Sequence, residues 1–224
     1  MELAVRIRNL YLAGSQIAPR PVSLDVHLGE GVGICGPRGM GKGLLLHILS
    51  GLRPAEAEAL EVLGQDARRE PRRVSASVGF VSGSLDDFLW ERSAYANLAL
   101  HAATKGLPAA RLHDVVQLQL GRHGLRPRAA TAARLLPHTD LLRLALAQAT
   151  VAAPRLLLLY DPLRGAGDEE AAELFDTLAE WLGEDPSHTL IAAGPRLRPL
   201  RRLLRRGWLL EPWGLVPCAA ADLP

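Results

Sequence analysis

The stretch VGICGPRGMGKGLLLHILSG, Val32 to Gly51, constrains the fold more than any other part of the chain. A short apolar strand (Val32–Cys35) enters a glycine-rich loop. A segment reading as helix (Lys42–Leu49) leaves it, and Gly51 can stop that helix. Gly36, Gly39, Gly41 and Gly43 let the backbone turn its N–H groups inward, and the helix start adds its positive end. Together they form an anion nest, with Lys42 placed to reach the outer phosphates of a nucleotide. The chain has only two lysines, Lys42 and Lys105, and arginine supplies the other cations, so a lysine in this loop stands out. The candidate nucleotide-binding set is Gly36, Arg38, Gly39, Gly41, Lys42, Gly43 and Leu44.

The loop pattern departs from the general one at its last place. There a Ser or Thr hydroxyl normally ligates magnesium, and here Gly43 and then Leu44 follow the lysine. Neither carries an oxygen in its side chain. The residues therefore predict a phosphate cradle with a damaged metal seat. Arg38 reads either as a partial substitute for the metal's charge or as a surface residue.

Around this loop the pattern alternates between strands and helices. Leu3–Asn9 and Val22–Leu28 alternate as strands, and Ala59–Gln65 reads as a strand and turn. Ser77–Ser82 is a further strand. Arg155–Tyr160 is a continuous apolar run, as expected for a strand buried on both faces of a parallel sheet. His188–Ala193 is another core strand, Glu169–Gly183 an amphipathic helix, and LLRRGWLLEPW a closing hairpin. From about Asp86 to Arg134 the pattern is helical, and a long helix follows over Asp140–Ala153. The predicted fold is α/β: a P-loop NTPase-like core, an N-terminal antiparallel β region and an inserted helical lobe over about 86–153, within a single domain of residues 1–224.

Bulk properties narrow the class. Hydrophobic content of 48% with 22% charged residues fits a globular chain. A net charge of +2 gives no global signal for nucleic acid, and no aromatic platform accompanies the six arginines of RLRPLRRLLRR (Arg196–Arg206). That segment reads as a solvated rim or as a face for anionic lipid or an acidic partner. Two cysteines give neither a disulfide framework nor metal spacing, and the histidines show no ligand spacing. The start, MELAVRIRNL, reads as a strand rather than a signal peptide, and the longest apolar run is interrupted by charges and Pro154.

With these residues in place, the chain resembles the nucleotide-binding domain of ABC transporters. GPRGMGKG lies where that family has G-P-N-G-A-G-K-S, NLAL (Asn97–Leu100) resembles a segment of the family's helical lobe, and RLALAQATVAAPRLLLLYDP (Arg143–Pro162) follows the family pattern closely. The likeness runs from about residue 2 to 215. Position by position it implies several departures. The signature L-S-G-G-Q falls on Leu136, Pro137, His138, Thr139 and Asp140, where proline removes an N–H and Asp140 adds negative charge. The Walker B aspartate falls on Tyr160 and the glutamate on Asp161; a slip of one residue would put Asp161 at the metal and Pro162 at the base. The glutamine after the preceding strand falls on Gly83 and the switch histidine on Pro195. The aspartate of the loop after Walker B lies near Gly167, with Asp168 one place off. An aromatic that stacks on adenine is expected before the second strand; Tyr11 is the only early candidate, and it reads mostly as packing.

Several catalytic positions depart together, and the chemistry needs positioning and charge stabilisation at once. The expectation is therefore a non-catalytic pseudo-ATPase subunit with no catalytic residues and no metal ligands. It would need no cofactor, and would hold ATP or ADP only weakly without a well-formed magnesium site. The resemblance implies partners: a second ABC-type ATPase subunit, as a homo- or heterodimer, and a transmembrane permease, but no nucleic acid. The place would be the cytoplasmic face of the membrane, peripherally, through those partners. Two alternatives stay open: a soluble regulatory or scaffold protein paired with another ATPase, and a weakly active ATPase with a site remodelled around Arg38 and Asp161.

Overall fold

The computed structural model describes residues 2–12 and 21–224. The chain runs through β1 (Leu3–Leu10), β2 (Val22–His27), β3 (Gly31–Cys35), α1 (Lys42–Leu49), β4 (Ala59–Val62), β5 (Gln65–Asp66), α2 (Pro71–Ser77) and β6 (Val78–Ser82). It continues through α3 (Ala94–Thr104), α4 (Ala109–Arg122), α5 (His138–Thr150), β7 (Leu156–Tyr160), α6 (Asp168–Glu184), β8 (Thr189–Ala193), β9 (Arg206–Glu211) and β10 (Gly214–Cys218).

The alternating segments form a four-stranded antiparallel sheet in the order β2-β1-β4-β5. Val5, Ile7, Leu24, Val26, Leu60 and Val62 turn inward from it, so one face is apolar and the other polar. The turn between β4 and β5 is tight because Leu63 and Gly64 both take positive φ, the geometry that suits a two-residue hairpin.

The continuous apolar runs form the second sheet, ordered β10-β9-β3-β8-β7-β6. Its inner strands pair in parallel, and β10 closes one edge antiparallel to β9. Every residue of β3 and β8 is buried, as are Leu156 to Leu159 of β7. One face of this sheet meets α1 and the antiparallel sheet. The other meets α5, α6 and the helices between β6 and β7. The predicted α/β architecture, with its antiparallel region and its helices inserted between two core strands, is the observed one.

Local boundaries differ where a cap decides them. Helix α2 precedes β6 and takes Ser77 from the predicted strand; Pro71 supplies a preset φ at its first position. Helix α5 begins at His138, two residues before the predicted Asp140, because Pro137 ends the extended approach. Among the described residues no helix is long and apolar enough to cross a membrane.

Candidate functional site

The loop between β3 and α1 is shaped by its glycines. Gly41 sits at the helix start with φ 92°, a conformation that a side chain would strain, and its carbonyl accepts the first helical bond from Leu45 N–H at 2.8 Å. Gly36 comes so close to β9 that a Cβ there would lie 2.4 Å from the Leu210 carbonyl oxygen. Lys42 follows immediately and is only 6% exposed. Its ammonium donates to the Gly36 carbonyl at 2.7 Å and the Pro37 carbonyl at 2.6 Å, which holds it against the loop. Burial pulls the Lys42 pKa below the usual lysine value, with Arg38 pushing the same way and Cys35 and Asp161 opposing. Burial also pushes the neighbouring Cys35 thiol up to about 11, so it stays a neutral thiol.

Arg38, Gly39, Gly41, Lys42, Gly43 and Leu44 line one cavity of about 390 Å³, and Gly36 contributes the carbonyl that holds Lys42. Tyr160, Asp161, Arg164 and Pro195 complete the lining. Three cations thus face one carboxylate, a balance that favours a polyanion. Arg164 was not singled out in the sequence. The only signal is a cation four residues beyond the end of a core strand, where open α/β sheets place their ligands.

The positions that depart from the family pattern are physically matched to one another. A Cβ on Gly43 would lie 2.7 Å from Cζ of Tyr160, so the Tyr160 ring occupies the space a larger residue at 43 would need. The ring is packed beside His47, with centroids 6.4 Å apart, and His47 in turn lies 5.1 Å from Phe80. Asp161 adopts φ 48°, strained for a side-chain-bearing residue, and its N–H donates to the Ala193 carbonyl at 2.6 Å. Gly83 makes this turn possible, because a Cβ there would sit 1.9 Å from the Asp161 carbonyl oxygen.

The segment aligned with the signature leads into α5, with His138, Thr139 and Asp140 in its first turn. His138 Nδ1 and Thr139 Oγ1 donate to Glu170 Oε1 at 2.9 and 3.0 Å, while Glu170 Oε2 accepts the Gly167 N–H at 2.9 Å. That N–H, followed by His138, holds the Glu170 carboxyl below the usual range. Asp140 is not a free negative charge: Arg143 bonds it at 2.9 Å and Arg128 lies 3.7 Å away. Tyr11 is 51% exposed and is not among the residues lining the cavity.

A magnesium ion accompanying a nucleotide is commonly held by one or two carboxylates together with phosphate oxygens. Asp161 is the carboxylate placed for that role in the cavity. Among the described residues no group of three or more His, Cys, Asp or Glu side chains is gathered for a metal by itself.

Comparison with known proteins bears on this site. The ABC transporter family profile matches residues 19–164. The chain is 32% identical over 194 residues to the lipoprotein-releasing system ATP-binding protein LolD of Ruegeria sp. (strain TM1040), covering 83% of this chain and 85% of that protein. It is 32% identical over 184 residues to the corresponding LolD 2 protein of Rhodospirillum rubrum, covering 80% and 79%. Among solved structures, cbiO1 from Clostridium perfringens, part of the ABC transporter complex cbiONQ, superposes with a TM-score of 0.84 at 19% identity, covering 99% of this chain and 90% of that one.

These relatives correct the expectation of a non-catalytic pseudo-ATPase, and with it the expectations that the chain is no enzyme and needs no cofactor. Similarity of about a third, over four-fifths of the chain, is to proteins named for binding ATP. The expectation failed because it treated each departure as a separate loss. In the fold, Gly43 and Tyr160 are complementary volumes, Asp140 is neutralised by arginine, and the loop keeps its shape and its lysine.

Proposed function

The chain belongs to the ABC transporter family, and we propose that it is an ATP-binding and ATP-hydrolysing subunit whose site is the cavity around Lys42. The observation that carries this reading is the intact loop. Its glycines and the start of α1 surround a buried lysine that shares a 390 Å³ cavity with two arginines and Asp161. Such a site suits a polyphosphate, with backbone N–H groups and cations taking its charge. Gly36, Arg38, Gly39, Gly41, Lys42, Gly43 and Leu44 form the phosphate-facing set, and Asp161 joins them as the carboxylate.

The subunit pairs with another ATPase subunit and with a membrane permease. A groove of about 470 Å³ beside the inserted helices supports the second contact. Leu52, Phe80, Val81, Leu85 and Phe88 give it an apolar floor, with His101 and Lys105 at its wall. Trp90, stacked edge-on to Phe88 at 5.9 Å and 40% exposed, stands near it. An apolar groove of this kind suits a short helix of a permease, and such docking would hold the subunit peripherally at the cytoplasmic face of the membrane. Residues 1–224 act as one domain, with 86–153 as its helical lobe.

Phosphate release from ATP, measured with magnesium on the purified chain and on the chain assembled with its partners, tests the reading. Turnover that Lys42→Ala lowers by at least about tenfold is expected, as for loss of one charge-stabilising donor. Equal release by wild type and Lys42→Ala in both preparations would refute it.

A further inference from the structure

We propose that Arg164 is a phosphate-binding residue of the cavity and sets its preference for a nucleoside triphosphate over the diphosphate. The inference rests on the nucleotide-binding reading above and adds a residue to it.

Three observations converge on Arg164. It lines the same cavity as Lys42 and Arg38, but it comes from the turn after β7 and not from the glycine loop. The residue is exposed and, among the described residues, forms no ion pair with a carboxylate, unlike Arg143, Arg68 or Arg206. The turn that carries it is held firmly. Arg164 N–H donates to the Asp161 carbonyl at 3.0 Å, the buried Leu163 anchors the inner side, and the Leu163 carbonyl accepts Arg196 Nη2 at 2.6 Å. A fixed turn therefore presents an uncommitted guanidinium to a cavity whose other cations serve phosphate.

Chemistry assigns the ligand. A planar guanidinium binds a phosphate group through two parallel N–H···O bonds, a geometry that an ammonium does not reproduce. The backbone N–H groups of the loop surround the phosphates that ATP and ADP have in common, and Lys42 reaches outward from them. A cation from a second element adds contacts to the terminal group, which only the triphosphate carries there.

The test is equilibrium binding of ATP, ADP and AMP to the full chain, followed by calorimetry, for wild type, Arg164→Ala, Arg164→Lys and Lys42→Ala. Arg164→Ala is expected to weaken ATP by about tenfold or more while changing ADP by less than about threefold. Arg164→Lys should fall between Arg164→Ala and wild type. An unchanged thermal midpoint in both Arg164 variants confirms folding, as the exposed side chain leads one to expect. If wild type binds ATP and both Arg164 variants bind it as tightly, this inference fails and the site reading stands. If Arg164→Ala weakens ATP and ADP equally, the assignment to the terminal phosphate fails. If wild type binds no nucleotide at all, the site reading fails with it.

Discussion

Gly43 and Tyr160 share a space that holds one ring and no additional carbon. Putting serine at 43 would drive its Cβ to 2.7 Å from Tyr160 Cζ, and the ring is backed by His47. Gly43→Ser is expected to cost about 1–3 kcal/mol of unfolding free energy, the usual range for overpacking. Tyr160→Ala in the same chain should recover part of that loss, so a double-mutant cycle by urea denaturation should give a coupling of at least about 0.5 kcal/mol. Additive effects would show that the two side chains do not compete. The same pair marks what the sequence could reveal at this scale. The glycine spacing and Lys42 were legible because a phosphate nest depends on backbone conformations that glycine alone adopts easily. The fit of Gly43 to Tyr160, 117 positions apart in the chain, was not legible, since no local pattern encodes a contact between α1 and the end of β7. Arg164 was missed for a related reason: its relevance comes from the turn that aims it.

At the scale of elements, Glu170 joins two of them. It receives the Gly167 N–H at the start of its own helix and bonds His138 and Thr139 at the start of α5. Glu170→Ala removes both a helix cap and the tie, and about 1–2 kcal/mol of stability should go with it. Hydrogen exchange should then speed up in the first turns of α5 and α6 together. Faster exchange in α6 alone would mean the tie to α5 carries nothing. The strands of the core were readable as elements because β7 and β8 are buried on both faces and carry unbroken apolar runs. Helix α2 was not. It buries only Val74, so its seven residues show no periodicity to detect. The arginine-rich segment likewise gave composition without conformation. It winds as a 3-10 helix over Arg198–Leu203 because Leu200 is drawn into the core.

For the whole molecule, two half-buried histidines make stability depend on pH. Burial lowers His101 from 6.5 to about 4, with Lys105 adding to the effect, and lowers His123 to about 4, with Arg122 adding. A depressed folded-state pKa means that the unfolded chain binds more protons as pH falls below 6.5. Stability is therefore full above about 6.5 and is lost as pH drops through 4. Each histidine contributes at most about 3 kcal/mol to that loss. Asp66, held near 2 by Arg68, stays ionised through this window. Denaturant unfolding at pH 7 and pH 4.5 should show the drop, and His123→Gln should shrink it. A profile unchanged by that substitution would exclude His123 as a source.

Strand β7 stands between the two apolar clusters as a common wall. Leu156 and Leu158 belong to the side of the glycine loop, and Leu157 and Leu159 to the side of the inserted helices. Because all four are leucine, sliding the strand by one place would exchange like for like, and hydrophobic burial cannot tell the two alignments apart. The choice must be made at the strand's margins. Gly83 N–H grips the Tyr160 carbonyl at 2.8 Å, and Asp161 N–H grips that of Ala193. Those few polar latches decide whether an aromatic or a carboxylate ends up beside the lysine, while the greasy interior they bracket is indifferent to the outcome.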